Sequence, residues 1–344
     1  DNLIAAAKYM KEKHPEVLLR VNTNGLGELF NKKPIAEEMA KYIDAVSISL
    51  NAPTAERYQE VTQPCFENAF PDMLAFAEKS KKLFSSVQFS VVSIISQEEI
   101  AHGIYSMWIR TKAAETAEPG QFISMYTNDG SKLLPRPISI CEIDKEKGAL
   151  RVVYRVTGEN TGTELFSQMG EGDTIPVIGP LGNGFPLEKA LEKRAFLIGG
   201  GIGVPPILEL AKQIGCEKKQ IIVGYRNDET FLKTEFEQNG EVYISTEDGS
   251  AGTKGNVMDA IRENGLEADI IYACGPTPML RAIKNYAEEN GIECYISLEE
   301  RMACGIGACL ACVCKTKEKD HHSNVHNKRI CKDGPVFLST EVEI

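Results

Sequence analysis

Ala195-Phe-Leu-Ile-Gly-Gly-Gly-Ile-Gly-Val-Pro-Pro206 reads as a buried strand, a glycine-rich turn and the opening of a helix. Four apolar residues in a row suit a strand covered on both faces. Glycines Gly199, Gly200, Gly201 and Gly203 allow a dinucleotide to approach the backbone, and the helix that follows offers free N–H groups to its phosphates. The run departs from strict G-x-G-x-x-G because Pro205 or Pro206 takes the last position, so on its own it also fits a structural turn.

Downstream the alternation continues. Strands are predicted at Ala195–Ile198, Gln220–Tyr225, Glu241–Ser245 and Ile270–Ala273, with helices including Pro206–Gln213 and Pro278–Asn290. That pattern predicts a parallel, doubly wound sheet whose ligands sit at the carboxyl ends of the strands. Cys274-Gly275-Pro276 ends one such strand, where a nicotinamide would lie, and Cys274 reads as a small packing residue beside the ring. Tyr225-Arg226-Asn227-Asp228 and Thr246-Glu247-Asp248 end two others and point to the adenosine half. Their acidic residues favour NAD over NADP, and Arg226 works against that preference.

Upstream the texture differs. Val87–Ile95, Ile104–Thr111, Gln121–Tyr126, Ile138–Glu142, Leu150–Arg155 and Thr174–Ile178 read as short strands separated by turns such as Glu118-Pro119-Gly120, which predicts a small antiparallel barrel. Arg136-Pro137-Ile138-Ser139 opens one barrel strand; the Arg can hold a pyrophosphate, and the Ser and its backbone can reach a flavin ring. Val153-Tyr154-Arg155 ends the next strand. Gly162-Thr163 then opens a short helix whose N–H groups suit phosphate. Each piece alone is a common turn or cap, and their order gives them weight. Residues 1 to about 85 form a further segment of βα repetition: helices Asn2–Lys13, Pro34–Tyr42 and Ala69–Leu83, strands Val17–Asn22 and Ala45–Leu50. The expected division is thus 1–85, a βα fragment; 86–188, a flavin-binding barrel; 189–293, a nucleotide-binding α/β domain; and 294–344, a small cysteine-rich domain.

Ten cysteines occur, and five of them fall between 304 and 331. Cys304-Gly-Ile-Gly-Ala-Cys309-Leu-Ala-Cys312 is C-x4-C-x2-C, followed by a distant Cys331. This is the spacing of a plant-type [2Fe–2S] centre, with three thiolates on one loop and the fourth elsewhere. Soft anionic thiolates suit iron bridged by sulfides, and Gly305 and Gly307 let the loop wrap so that N–H groups face sulfur. Structural zinc more often takes paired C-x2-C knuckles. Cys314 is an alternative fourth ligand. His321, His322 and His326 read as a solvated hairpin tip, a His2Cys2 site being unnecessary where four cysteines suffice.

A net charge of −11 argues against a broad nucleic-acid-binding face. The longest apolar stretch, Ala195–Ala211, is broken by glycines and prolines and is too short for a membrane helix, which needs about 20 mostly apolar residues. No signal peptide opens the chain, and Asp1 in place of Met points to a processed or truncated start, or a fragment. A reducing cytosol is the expected compartment, where clustered cysteines bind metal more often than they form disulfides.

Residues from about 87 to 344 resemble the ferredoxin–NADP reductase superfamily in module order. Within it, Ser297-Leu-Glu-Glu-Arg-Met-Ala-Cys-Gly-Ile-Gly-Ala-Cys-Leu-Ala-Cys312 and Cys331-Lys-Asp-Gly-Pro-Val-Phe337 resemble the electron-transfer subunits of dihydroorotate dehydrogenase B. Leu134-Pro-Arg-Pro-Ile-Ser-Ile140 and Gly179-Pro-Leu-Gly-Asn-Gly-Phe185 fit the same family. The resemblance implies FAD on Arg136, Pro137, Ile138, Ser139, Tyr154, Arg155, Gly162 and Thr163, and a cluster on Cys304, Cys309, Cys312 and Cys331. It implies a heterotetramer with two FMN-containing catalytic subunits, passing electrons from dihydroorotate through cluster and FAD to NAD. Gly158-Glu-Asn-Thr-Gly-Thr163 is longer than the compact Gly-x-Gly-Thr turn of that family.

Arg20-Val-Asn-Thr-Asn-Gly-Leu-Gly27 and Asp44-Ala-Val-Ser-Ile-Ser-Leu-Asn-Ala-Pro-Thr54 resemble later βα units of radical-SAM proteins, without the C-x3-C-x2-C loop that binds their [4Fe–4S] cluster. That segment reads as a fusion remnant, a docking element or an assembly artefact. The competing readings are a reductase subunit for NADH-dependent ferredoxin:NADP or sulfide/polysulfide chemistry, a redox-inert zinc protein, and a radical-SAM accessory.

Overall fold

The computed structural model describes every residue except 1, 49–54, 63, 67, 85, 90, 91, 128, 130, 133 and 320–323. The chain divides into two compact units. One comprises Asp1–Ser93 with Thr174–Pro176; the other comprises Ile94–Asp173 with Val177–Ile344.

In the first unit, β1 (Arg20–Thr23), β2 (Ala45–Ile48) and β3 (Ser86–Phe89) form a parallel sheet in that order, with Val21 beside Val46 and Val46 beside Val87. The helices Asn2–Lys13 and Ala69–Leu83 have the expected bounds. Met39, Met73, Phe76 and Ala77 are buried in one cluster with Val46 and Ile48. The Glu28 carboxylate accepts the N–H groups of Ile35 (2.8 Å) and Ala36 (2.9 Å), which open the helix Ala36–Met39 and would otherwise lack partners. That helix is shorter than the expected Pro34–Tyr42. Residues 49 and 50 of the expected strand, and 51–54 of the second radical-SAM-like stretch, lie outside the described residues.

The second unit begins with an antiparallel sheet. Its strands are β4 (Ser93–Ala101), β5 (Ile104–Arg110), β6 (Phe122–Met125), β7 (Arg136–Asp144), β8 (Ala149–Arg155) and β9 (Val177–Leu181), in the order β4-β5-β8-β7-β6-β9. Ile94 donates to Asp173 (2.8 Å) and Gly172 to Ile94 (2.9 Å), so the first strand returns to the segment leading into the last. The single strand expected at Val87–Ile95 is in fact split. Ser86–Phe89 pairs with β2, while β4 starts at Ser93, because each half found a different partner sheet. The last barrel strand runs Val177–Leu181, later than the expected Thr174–Ile178.

The second sheet contains β10 (Arg194–Gly200), β11 (Lys218–Tyr225), β12 (Glu241–Thr246), β13 (Thr253–Lys254), β14 (Ile270–Cys274) and β15 (Glu293–Ser297). The tail adds a hairpin, β16 (Val313–Lys315) with β17 (Asn327–Arg329), and β18 (Val336–Leu338). The sheet order is β13-β12-β11-β10-β14-β15-β18, parallel except for β18. Period-two alternation assigns its two faces to separate cores. Phe196, Ile198, Ile271 and Ala273 lie in one; Ala195, Leu197, Ile270 and Tyr272 lie in the other. Cys294, expected to open the tail, lies inside β15, so the tail begins after that strand. β11 flanks β10 on one side and β14 on the other, which makes the β10/β14 boundary the topological switch point where such sheets bind ligands. No described helix is long and apolar enough to cross a membrane.

Candidate cofactor and cluster site

The two chain segments read as nicotinamide-binding meet at that switch point. The turn after β10 passes through Gly201 (φ +55°) and a single 3-10 turn, Gly201–Gly203, before the helix Pro205–Gln213. Proline suits this first turn because its missing N–H has no helical partner there. A Cβ on Gly203 would stand 2.5 Å from the carbonyl carbon and oxygen of Cys274 and from the nitrogen of Gly275. A Cβ on Gly200 would stand 2.4 Å from Met279 Sδ. The glycines therefore let the ends of β10 and β14 close on each other. Gly199 is likewise buried, against Val204. Cys274 is fully buried, and burial pushes its thiol up, with Ser297 opposing, as befits a packing residue. Pro276 precedes the helix Thr277–Asn290. Glu247 donates its N–H to Tyr225 (3.1 Å) and Asp248 to Arg226 (3.3 Å), so the β11 and β12 ends are joined as well.

On the barrel, the Arg136 guanidinium lies against Gly162, where a Cβ would come within 2.7 Å of its Cζ and Nε, and it also donates to the carbonyl of Leu134. The strand start and the Gly162–Ser167 helix are thus in contact, as their order in sequence suggested. Thr161 caps that helix by accepting the Glu164 N–H (3.3 Å), and the Thr163 hydroxyl accepts from Thr157 N–H (3.2 Å). Pro137, Ile138 and Ser139 are half-buried along β7. Val153 and Tyr154 are buried; the Tyr154 hydroxyl donates to Gln97 (2.6 Å) and its ring stacks on Tyr105. That phenol is committed to the barrel core. Arg155 reaches the other sheet: its Nη2 would lie 3.9 Å from a Cβ on Gly201. It also faces Glu299, whose carboxyl is pushed up by burial and partly restrained by Arg155. Glu299 itself is exposed to solvent.

The cysteine loop turns through Gly305 (φ +68°) and Gly307 (φ +83°), conformations that favour glycine. Ala308 N–H donates to Cys304 Sγ (3.3 Å), Gly307 N–H to Cys331 Sγ (3.1 Å) and Cys331 N–H to Cys312 Sγ (3.4 Å). Burial alone would raise the Cys304 thiol, but the N–H groups of Ile306, Cys309 and Ala308, with the Cys309 side chain, bring it down to about 6. Burial, with Cys312 and Cys304 nearby, pushes Cys331 up to about 12. The fold therefore brings Cys331 to the loop and places Cys312 and Cys304 beside it. Cys314 instead donates to the Lys328 carbonyl across the β16–β17 hairpin (3.6 Å). His326 Nδ1 lies 3.0 Å from the Lys317 carbonyl in that hairpin, whereas His321 and His322 lie outside the described residues. Among the described residues, no group of three or more His, Cys, Asp or Glu side chains is arranged to hold one metal ion. A two-iron cluster does not ask for one, since each iron takes two thiolates and two bridging sulfides.

The loop rests on β6. A Cβ on Gly305 would lie 2.8 Å from Ser124 Oγ, a buried hydroxyl with no partner among the described residues. Tyr126, one residue past β6, has its phenol raised by burial and by Cys304. Ser124 pairs in register with Pro137, so the cysteine loop abuts the strand next to the Arg136–Ser139 segment. Sequence reasoning missed Ser124 and Tyr126, neither of which carries a local motif, and Glu299 entered only as part of the Ser297–Cys312 run with no role of its own. The donor set fits an iron–sulfur group, and the Arg136–Gly162 cradle fits a pyrophosphate.

Residues 299–343 match the iron-sulfur cluster binding domain of dihydroorotate dehydrogenase B, and residues 197–285 match the oxidoreductase NAD-binding domain. A dihydroorotate dehydrogenase B (NAD(+)) electron transfer subunit from Fusobacterium nucleatum subsp. nucleatum is 48% identical over 256 residues, covering 72% of this chain and 95% of that protein. The chain belongs to this family of electron transfer subunits. Another member, from Geobacillus sp., is 46% identical over 259 residues, covering 73% of the chain and 97% of its own length. A solved NADH-dependent reduced ferredoxin-NADP oxidoreductase superposes with TM-score 0.64 at 29% identity, covering 74% of this chain and 90% of that one. A ferredoxin NADP+ reductase from Neisseria gonorrhoeae superposes with TM-score 0.50 at 15% identity, over 62% of this chain and 93% of its own, and so shares the fold. As a family member the chain is an oxidoreductase subunit with an iron–sulfur domain and an NAD-binding domain. The segment before residue 94 lies outside both domain matches.

Proposed function

We propose that this subunit carries electrons between the FMN-containing catalytic subunit of a dihydroorotate dehydrogenase and NAD, serving pyrimidine biosynthesis, with FAD and one [2Fe–2S] cluster as its cofactors. The observation that carries the proposal is the juxtaposition just described: the cysteine loop, closed by Cys331, lies on β6, one strand from Arg136–Ser139. When bound, FAD supplies the exchange between single electrons at the cluster side and a hydride at the NAD side. The chain's own residues do the positioning. Cys304, Cys309, Cys312 and Cys331 hold the cluster. Arg136 with the Gly162–Thr163 helix start takes the FAD pyrophosphate, and Pro137, Ile138, Ser139 and Arg155 line the flavin, with the buried Val153 and Tyr154 supporting them from the barrel core. Gly199, Gly200, Gly201, Gly203, Cys274, Gly275 and Pro276 form the NAD side. No side chain is needed as an acid or base. The barrel strands from β4 thus serve FAD, the sheet through β15 serves NAD, and the tail serves the cluster.

The catalytic partner docks over the cluster. Cys309 is exposed, and close to it in sequence Ile306, Leu310 and Val313 are exposed apolar side chains that water does not favour. We infer a two-plus-two heterotetramer in the cytosol. The likeness to the ferredoxin-NADP oxidoreductase favours a second reading, a subunit of an NADH-dependent ferredoxin:NADP oxidoreductase, which the higher identity to dihydroorotate dehydrogenase subunits outweighs.

The test is purification with and without a co-expressed catalytic subunit. Alone, the chain should contain FAD and two irons and reduce dyes with NADH, yet turn over no dihydroorotate; with the partner it should couple dihydroorotate to NAD. A colourless protein containing zinc would overturn the proposal. Removing residues 1–85 should leave dye reduction unchanged; loss of that activity would give the segment a role in it.

A further inference from the structure

Arg329 ends β17, two residues before Cys331, and its side chain is mostly buried. Its Nε and Nη2 grip the Asp333 carboxylate at 3.0 and 3.1 Å, and its backbone N–H donates to the same carboxylate at 2.8 Å. The guanidinium is thereby fixed as a planar fork. Its remaining arm, Nη1, donates to the Gly307 carbonyl at 3.2 Å. That carbonyl belongs to the Gly307–Ala308 peptide, whose N–H donates to Cys304 Sγ at 3.3 Å. In a trans peptide the C=O and N–H point in opposite directions. A cation held at one end therefore fixes and polarises the donor aimed at the sulfur from the other. The preceding peptide, through Gly307 N–H, reaches Cys331 Sγ. One side chain thus braces the stretch of backbone that serves two of the four thiolates.

We propose that Arg329, held by Asp333, is a positioning residue that raises the reduction potential of the cluster by orienting and polarising the Gly307–Ala308 peptide. This rests on the functional reading above. Reduction adds negative charge to the cluster, and donors aimed at its sulfurs stabilise that charge. Without the cation the oxidised form gains relative to the reduced one. A purely structural Arg329–Asp333 pair would affect only folding stability.

The experiment compares wild type, Arg329→Gln, Arg329→Lys and Asp333→Asn as full-length protein with cofactors, by iron content, electron paramagnetic resonance and redox titration. Arg329→Gln should retain two irons. Its ratio of reduced to oxidised cluster at a given potential should fall about three- to tenfold, tenfold being 59 mV for one electron, with the flavin potential unmoved. Arg329→Lys, a cation without the fork, should lie between. An unchanged cluster potential in Arg329→Gln overturns the proposal while leaving the functional reading intact. Should Arg329→Gln fail to hold iron, Asp333→Asn decides: a lowered potential supports the proposal and a wild-type potential overturns it. A wild-type protein without a two-iron cluster overturns both.

Discussion

A methyl group added at Gly203 would press on the Cys274 carbonyl and the Gly275 nitrogen at 2.5 Å, whereas one added at Gly307 would meet the aliphatic stem of Lys332 at 2.8 Å. Backbone cannot step aside; a lysine stem can. Gly307 is instead required for its handedness, at φ +83°. At Gly203 the nucleotide turn therefore uses glycine for space, so that two strand ends can close, while its neighbour Gly201 supplies a positive φ. The cysteine loop uses glycine for direction, so that N–H groups face sulfur. The two ends of the proposed electron path should fail in different ways.

The largest expected effect comes from removing a thiolate. Cys331→Ser should abolish stable cluster assembly and cut electron transfer from the catalytic partner to NAD by roughly a hundredfold or more, while NADH-dependent dye reduction through the flavin stays within twofold. Cys314→Ser should change neither, because that sulfur is engaged with the Lys328 carbonyl. Iron analysis and the two assays check both variants; equal loss of iron in the two would show that Cys314 is a ligand.

Next in size is Gly203→Ala. Inserting a methyl between fixed backbones costs about 1–3 kcal/mol. Because it separates β10 from β14 at the switch point, NADH-dependent dye reduction should fall at least tenfold. Iron content and the cluster spectrum should persist. A variant that lost iron and kept NADH activity would reverse the assignment of the two regions.

Both loops were legible because each is dictated locally. Four apolar residues before a glycine run announce a buried strand and a turn, and three cysteines at fixed spacing announce a soft metal centre. Long helices such as Ala69–Leu83 were legible for the same reason. Ser86–Phe89 was not, because its apolar texture continues toward β4 and only pairing with β2 assigns it to a parallel sheet. Cys294 was drawn toward the cysteine-rich tail, although its place between Ile271 of β14 and the core makes it an ordinary buried strand residue. Arg329 escaped notice because its partner, Gly307, lies 22 residues away in sequence and is reached only after the hairpin folds. Strand membership and polar clasps are long-range facts, and motifs are not.

The cysteines offer a pH test of the same contrast. In iron-free protein, Cys304, brought down to about 6 by surrounding N–H groups, should be alkylated as a thiolate at pH 7. Its rate should fall about tenfold between pH 7 and pH 5 as the thiolate is protonated. Cys274, in the dry nucleotide turn, should resist alkylation through pH 9 because burial favours its neutral thiol. Mass spectrometry of labelled peptides reads each site. Labelling at Cys274 ahead of Cys304 would mean that the turn is open to solvent and the loop lacks its donors.

The smallest effect should come from Gly307→Ala. An alanine held at positive φ costs about 1–2 kcal/mol, and the Lys332 stem can yield to its methyl. The loop therefore still forms, but the peptides on either side of residue 307 turn slightly away from Cys331 and Cys304. Cluster loss during incubation with a chelator should speed up a few-fold, with dye reduction unchanged. If Gly307→Ala instead destroyed the cluster as thoroughly as Cys331→Ser, space rather than handedness would govern this loop too, and the distinction between the two glycine turns would fall.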